Sequence, residues 1–417
     1  MAGLGSQWFV SGLMTLGLAV GCGGSSSSSG DGAIDAAVVD GSGNDGAGDQ
    51  LTQEVLANTC GVVRRMPLTS ADGASMWPAV VWDGNAFVVV WSDARSGSPD
   101  IFMTFINPDG SRARGATDMM VAHTPYAAIS PRVSPLGNSR YLLVWENCAG
   151  TACAGGSTVG RVVVDGNGQV VVPVGELSTL AVVQRRPHVI AAFGLVYVAF
   201  RDVVGNNVVS RVMPLDLNGT PLAAGAVFGA NTAAQYPFVT AANGKLALIY
   251  SRGIGQTDIV FDLLDQNLGV SRELVVRQGT RQATNPVAQW NGNGWTLAWE
   301  DQDSGEVLVE ETVTGAEAAS AGQLRPIDTA NSNWPMLASD GTNTVIAYYG
   351  FPADAQVLVA RVDRTGQPIG TPVQVSQTGS RSRYPSIAYS GNADNGYGIV
   401  WHDEKTGEVV YAQVVCR

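Results

Sequence analysis

The chain repeats itself about every 50 residues. Prolines at 78, 131, 187, 237, 286, 335 and 385 each precede an apolar run that ends on a large ring: Trp91, Trp145, Phe200, Tyr250, Trp299, Tyr348 and Trp401. The steps between these prolines are 53, 56, 50, 49, 49 and 50 residues. A period of this length marks a stacked array, whose units bury their apolar faces only against their neighbours. Within a unit the runs are short, such as FVVVW (87–91) and QVLVARV (356–362), and are separated by Gly/Asn/Asp turns, among them DLNG (216–219) and DRTG (363–366). No stretch sustains a helical period. Each unit therefore reads as a four-stranded antiparallel sheet. Seven of them predict an all-β, seven-bladed β-propeller, which closes radially and so leaves no long exposed edge.

Closure is testable at the ends. Only 32 residues follow Pro385, enough for three strands. The missing fourth is predicted at the other terminus, where RRMPLTSADGASMWP (64–78) parallels PVQVSQTGSRSRYP (372–385) in its approach to proline. The N-terminal strand should complete the last blade. Cys60 opens that strand and Cys416 ends its antiparallel neighbour, so the two are expected to form a disulfide. In the chain-entropy picture so long a loop is worth roughly 5 kcal/mol at most. Cys148 and Cys153 share one loop of the second blade and are expected to clip its tip. No C-x-x-C pair or nearby His completes a zinc tetrahedron, and neither metal nor cofactor is expected.

The fifth cysteine, Cys22, ends WFVSGLMTLGLAVGC. An apolar run of about a dozen residues is too short to span a bilayer but suits a signal-peptide core. AVGC resembles the bacterial lipoprotein box, which implies that Cys22 is lipidated and becomes the mature N-terminus; ordinary secretion with cleavage nearby is the alternative. Residues 23–54, rich in Ser, Gly, Ala and Asp, hold too few large apolar groups to fold and read as a disordered tether. The organisation expected is a leader at 1–22, a tether at 23–54 and a propeller at 55–417. The first 54 residues carry six acids and no base, so half of the net charge of −12 belongs to them. With no basic run longer than the pairs Arg64–Arg65 and Arg185–Arg186, no nucleic-acid partner is expected.

Functional motifs are sparse. The only Trp-Asp, Trp82–Asp83, lies in a turn rather than at a strand end, and neither a kelch double-glycine series nor an Asp-box occurs. HDEKTGEVVY (402–411) is similar to the D-x-x-T-G-x-x-x-W stretch of quinoprotein-type propellers, with Tyr411 in place of Trp. In architecture residues 56–417 resemble secreted propeller-repeat lipoproteins of bacteria. That resemblance implies a monomer at the cell envelope, in the outer membrane or at the cell surface, held to the membrane only by its lipid anchor. There is no G-x-S-x-G elbow, and the three histidines are His123, His188 and His402. The D-x-x-G turns lack the ligand series of a calcium loop and read as hairpin turns.

Two residue sets recur by position. Two places past the closing ring stand Asp93, Asp202, Asp301 and Asp403. Converging carboxylates could serve a glycan-active hydrolase or lyase, whereas acids at one repeated loop position more often bond their own backbone. Just before the proline stand Trp77, Arg186, Tyr236, Asn285, Trp334 and Tyr384. In propellers this crossing lies near the channel mouth. Such residues are expected either to bind a glycan or protein there or, held extended by the proline, to wedge between blades. As a platform, Trp77, Trp334 and Tyr384 should be substantially exposed around one mouth.

Overall fold

A computed structural model of the chain describes residues 49–50, 55 and 57–417, except 71–73, 114–117, 151–152, 184, 279–281, 314–319, 329–330 and 352–353. Cys22, the leader and the tether apart from Asp49–Gln50 lie outside the described residues.

The described residues form seven antiparallel sheets and no α-helix. Blade one runs Ser75–Trp82, Phe87–Asp93, Asp100–Ile106, Met119–Ala122, and blade two Ala127–Gly137, Arg140–Cys148, Ser157–Asp165, Val170–Glu176. Blade three is His188–Ala192, Leu195–Val204, Asn207–Leu215, Ala226–Phe228, and blade four Ala234–Ala242, Lys245–Arg252, Asp258–Leu264, Val270–Arg277. Blade five is Ala283–Trp290, Trp295–Asp301, Glu306–Val313, Arg325–Asp328, with a short extra pairing at Ser320–Ala321. Blade six is Asn333–Ser339, Thr344–Gly350, Gln356–Val362, Val373–Gln374. Blade seven takes Ser382–Tyr389, Tyr397–Asp403 and Glu408–Cys416 from the C-terminal end and Cys60–Pro67 from the N-terminal end, as expected. Asp49–Gln50 pairs outside that last strand, so this much of the segment read as a tether lies in the sheet.

The ring closes in register. Cys60 faces Cys416 across the strand pair and the two are joined by a disulfide, as are Cys148 and Cys153.

Strand alternation explains why the second strand of each unit is so apolar. In Phe87–Asp93, Val88 and Val90 pack with Leu143 and Trp145 of blade two, while Phe87, Val89 and Trp91 pack with Val400 and Tyr411 of blade seven. Both faces of the strand are thus interblade core. Seven such clusters, one at each interface, hold the ring together. Each fully buried large apolar side chain in them contributes roughly 1.5–3 kcal/mol. The seven closing rings are at most 2% exposed. Gly160 lies against Trp145, where an added Cβ would stand 2.4 Å from the indole.

The D-x-x-G segments are hairpin turns. Asp216 Oδ1 accepts the N–H groups of Asn218 and Thr220, and Asp363 Oδ1 those of Thr365 and Gln367. Gly219, at φ +72°, completes its turn in a conformation open mainly to glycine.

Candidate functional site

The recurring proline-to-ring interval, thirteen residues in five of the blades, has a geometric cause. In blade one Met76 pairs with Ser92 and Ala79 with Val90, so Trp77 and Pro78 together oppose Trp91 alone. The same two-against-one bulge sets Ser130–Pro131 against Trp145, Tyr236–Pro237 against Tyr250, Asn285–Pro286 against Trp299, Trp334–Pro335 against Tyr348 and Tyr384–Pro385 against Trp401. In blade three the Arg201 N–H donates to Arg185 O while His188 pairs with Ala199, leaving Arg186–Pro187 opposite Phe200. Proline has no N–H to offer the ladder, and a bulge is where a sheet tolerates that loss.

The bulge overturns one expectation. A residue before proline was expected to be extended. Instead all seven have positive φ: Trp77 50°, Ser130 51°, Arg186 45°, Tyr236 54°, Asn285 50°, Trp334 55° and Tyr384 55°. For side-chain-bearing residues the left-handed region costs roughly 1–2 kcal/mol each. The paired strands on either side over-determine the turn, which re-aims each side chain out of the sheet alternation.

All seven side chains are re-aimed into one place. Every blade contributes its pre-proline residue to a single cavity of about 240 Å³, whose wall includes Trp77, Ser130, Arg186, Tyr236, Asn285, Trp334 and Tyr384. Ser130 completes the set that the sequence reading left at six. Each is half-buried, not substantially exposed as a platform would require, and not sealed between blades either. Mutual contact covers them. The Arg186 guanidinium lies 4.6 Å from the centroid of Tyr236 and 5.5 Å from that of Trp334, and its Nη1 donates to Asn285 Oδ1 at 2.9 Å. Trp334 in turn meets Tyr384 edge-on at 5.1 Å. Arg186 thus links blade three to blades four, five and six across the mouth.

Below this ring the residues after the prolines face inward: Arg132, His188, Phe238, Val287 and Met336. His188 stacks on Phe238 with centroids 3.9 Å apart. Burial, reinforced by the nearby Arg132 charge, pushes its pKa down to about 3, so the imidazole is neutral at physiological pH. Burial and the Arg186 charge likewise push Arg132 down to about 10.

A further set went unread in the sequence, at the position one past each closing ring: Ser92, Glu146, Arg201, Ser251, Glu300, Tyr349 and His402. Six of them reach across to the next blade, at or beside its bulge. Ser92 Oγ donates to Ala128 O, and Ser251 Oγ to Ala283 O at 2.8 Å. Glu146 accepts the N–H groups of Arg185 and Arg186 at 2.9 and 3.4 Å, and Glu300 that of Trp334 at 3.4 Å. Arg201 donates to Gln235 and lies over Tyr236, while Tyr349 packs edge-on against Tyr384. His402 is the exception, for its Nδ1 is buried without a partner. The residue types change from blade to blade, so the set repeats only in position. Strand alternation is the signal that would have found it, because each closing ring faces the preceding blade, so the residue one place past it faces the next blade.

The acids two past the ring are held within their own blades. Asp93 accepts bonds from Trp91 Nε1, Ser75 Oγ and Arg95. Burial alone would raise its carboxyl, but these donors hold it below the usual range. Asp202 is paired with Arg185 and Arg211, Asp301 accepts the N–H groups of Asp303 and Ser304, and Asp403 accepts that of Lys405. None of the four is part of the cavity wall.

No protein-family model and no curated protein matches the chain. Among solved structures, an oligogalacturonate lyase in complex with manganese superimposes with a TM-score of 0.53 at 12% identity, over 88% of this chain and 97% of that one. An oligogalacturonate lyase from Vibrio parahaemolyticus gives 0.50 at 8% identity, over 86% and 98%. A Trypanosoma rangeli sialidase gives 0.45 at 11% identity, over 82% of this chain and 53% of that one. At such identities the likeness to the two lyases is one of fold, and it places the chain among the β-propellers without assigning it an activity.

Proposed function

We propose that this propeller is a recognition module that binds a carbohydrate at its channel mouth, with a protein ligand as the second reading. The observation that carries it is the sevenfold positive φ before proline. Strained backbone is retained at ligand clamps when its surroundings over-determine it, and here the strain turns seven side chains into one cavity. Rings with Arg and Asn between them offer apolar faces and fixed donors, the pairing that sugar rings require. A hydrolase or lyase built on Asp93, Asp202, Asp301 and Asp403 draws no support from their geometry, since each is engaged in its own blade. The lipoprotein-like box at Cys22 supports tethering of the module at the cell envelope, where membrane fractionation of wild type and Cys22→Ser would test it.

A glycan and peptide array probed with the full-length protein, followed by titration of Trp334→Ala, tests the function. Glycan binding is expected, and the variant should lose it. The half-buried ring should lower stability by less than the roughly 3–5 kcal/mol that emptying a buried aromatic site costs. Unchanged binding in the variant would place the site elsewhere.

A further inference from the structure

The floor of the cavity holds a cation whose bonding is incomplete. Arg132 follows Pro131 and reaches into the channel, where its Nη1 donates at 2.9 Å to the carbonyl of that proline. Its Nε is buried with no acceptor, and Arg132 forms no ion pair among the described residues. Nearby, His188 Nδ1 is also buried without a partner. Glu146 is the one carboxylate in the cavity wall, and it already accepts the N–H groups of Arg185 and Arg186. The wall therefore carries two guanidiniums against one carboxylate. Buried polar atoms left open are costly, and in a native site they point to a partner that arrives from outside.

We infer that the cavity takes the carboxylate of an acidic sugar, bound by the Arg132 guanidinium, while the rings above it hold the sugar. A planar guanidinium matches a carboxylate in geometry as well as charge. A single negative charge would balance the excess of one cation, whereas a dianion would be repelled by Glu146. At about 240 Å³ the cavity falls below the roughly 300–1,000 Å³ of sites for larger ligands. That volume suits one ring with its substituents, so a chain-terminal acidic residue fits better than a chain interior.

This inference rests on the carbohydrate reading above, and the experiment separates the two. Two oligosaccharides are titrated calorimetrically into the full-length protein, one ending in glucuronic acid and one ending in glucose, with a peptide bearing a free C-terminal carboxylate and inorganic phosphate as further probes. The acidic sugar should bind at least about tenfold more tightly than the neutral one, the size expected of a hydrogen bond to a charged group. In Arg132→Gln the preference should fall to about one, and Arg132→Lys should restore part of it. Equal wild-type affinities for the two sugars would overturn the carboxylate site and leave the carbohydrate reading standing. Binding of the peptide or of phosphate alone, with no response to either sugar, would overturn both.

Discussion

At the scale of the residue, the seven pre-proline positions carry conformational strain for the sake of where their side chains point, and this can be measured. Ser130 has the smallest of those side chains, and its φ of 51° suits glycine better than serine. Ser130→Gly should relieve roughly 1–2 kcal/mol of strain and give back roughly 0.5–1 kcal/mol through the freer unfolded chain. A net gain is expected as a higher denaturant midpoint at unchanged slope, and a loss would show that the turn is not strained. Asp262 in blade four offers a second test. It is 1% exposed, its Oδ1 has no partner, and burial, then the charge of Glu273, push its pKa up to about 7. A folded pKa above the unfolded one means that the native state binds more protons between about pH 4 and 7, so stability is greatest below that window and falls as pH rises through it. A difference near three units amounts to roughly 4 kcal/mol at the upper end. Melting temperatures of wild type and Asp262→Asn from pH 4 to 8 should converge at the acid end and diverge toward neutrality, with the variant the more stable. Parallel curves would mean that Asp262 titrates normally.

At the scale of the element, six of the seven bulges are braced by the blade before them. Glu146 is the clearest brace, being 2% exposed and accepting two backbone N–H groups of the next blade. Glu146→Ala should cost about 1–3 kcal/mol for each buried donor left open and should weaken ligand binding through Arg186. Glu146→Gln, which keeps an acceptor, should be milder in both, and equal effects of the two variants would mean that packing alone matters. The bulge also shows what could be read in advance. The strands, their order and the closing pair were legible because they rest on identities that recur, a proline and a large ring at a fixed interval. The pre-proline set was legible for the same reason, as neighbours of that proline. The backbone conformation of the set was not, because the general preference for extended geometry before proline is local while the bulge is imposed by two paired strands. The braces were not legible either, because Ser, Glu, Arg and Tyr serve one purpose by different contacts. The four aspartates drew the eye because they repeat in type, and their repetition reflects loop geometry.

At the scale of the whole molecule, the ring is held by seven apolar interfaces and one covalent clasp between residues 356 apart in sequence. Replacing both Cys60 and Cys416 by serine should remove roughly 2–5 kcal/mol, seen as a lower midpoint in chemical unfolding. Loss of the same amount from a Cys148/Cys153 double variant would argue against the clasp, since a loop of five residues constrains the unfolded chain far less. Placing strand Cys60–Pro67 beside Glu408–Cys416 also sets the order of events during synthesis. The first blade strand to leave the ribosome waits for the last, and the contact that completes the circle has the longest reach and the slowest approach. Until then six finished sheets and an open seventh present unpaired edges to any passing chain. A copy of this protein interrupted near its end would therefore be almost entirely folded and yet adhesive, and the pairing of Cys60 is the chemical mark that separates a finished molecule from an unfinished one.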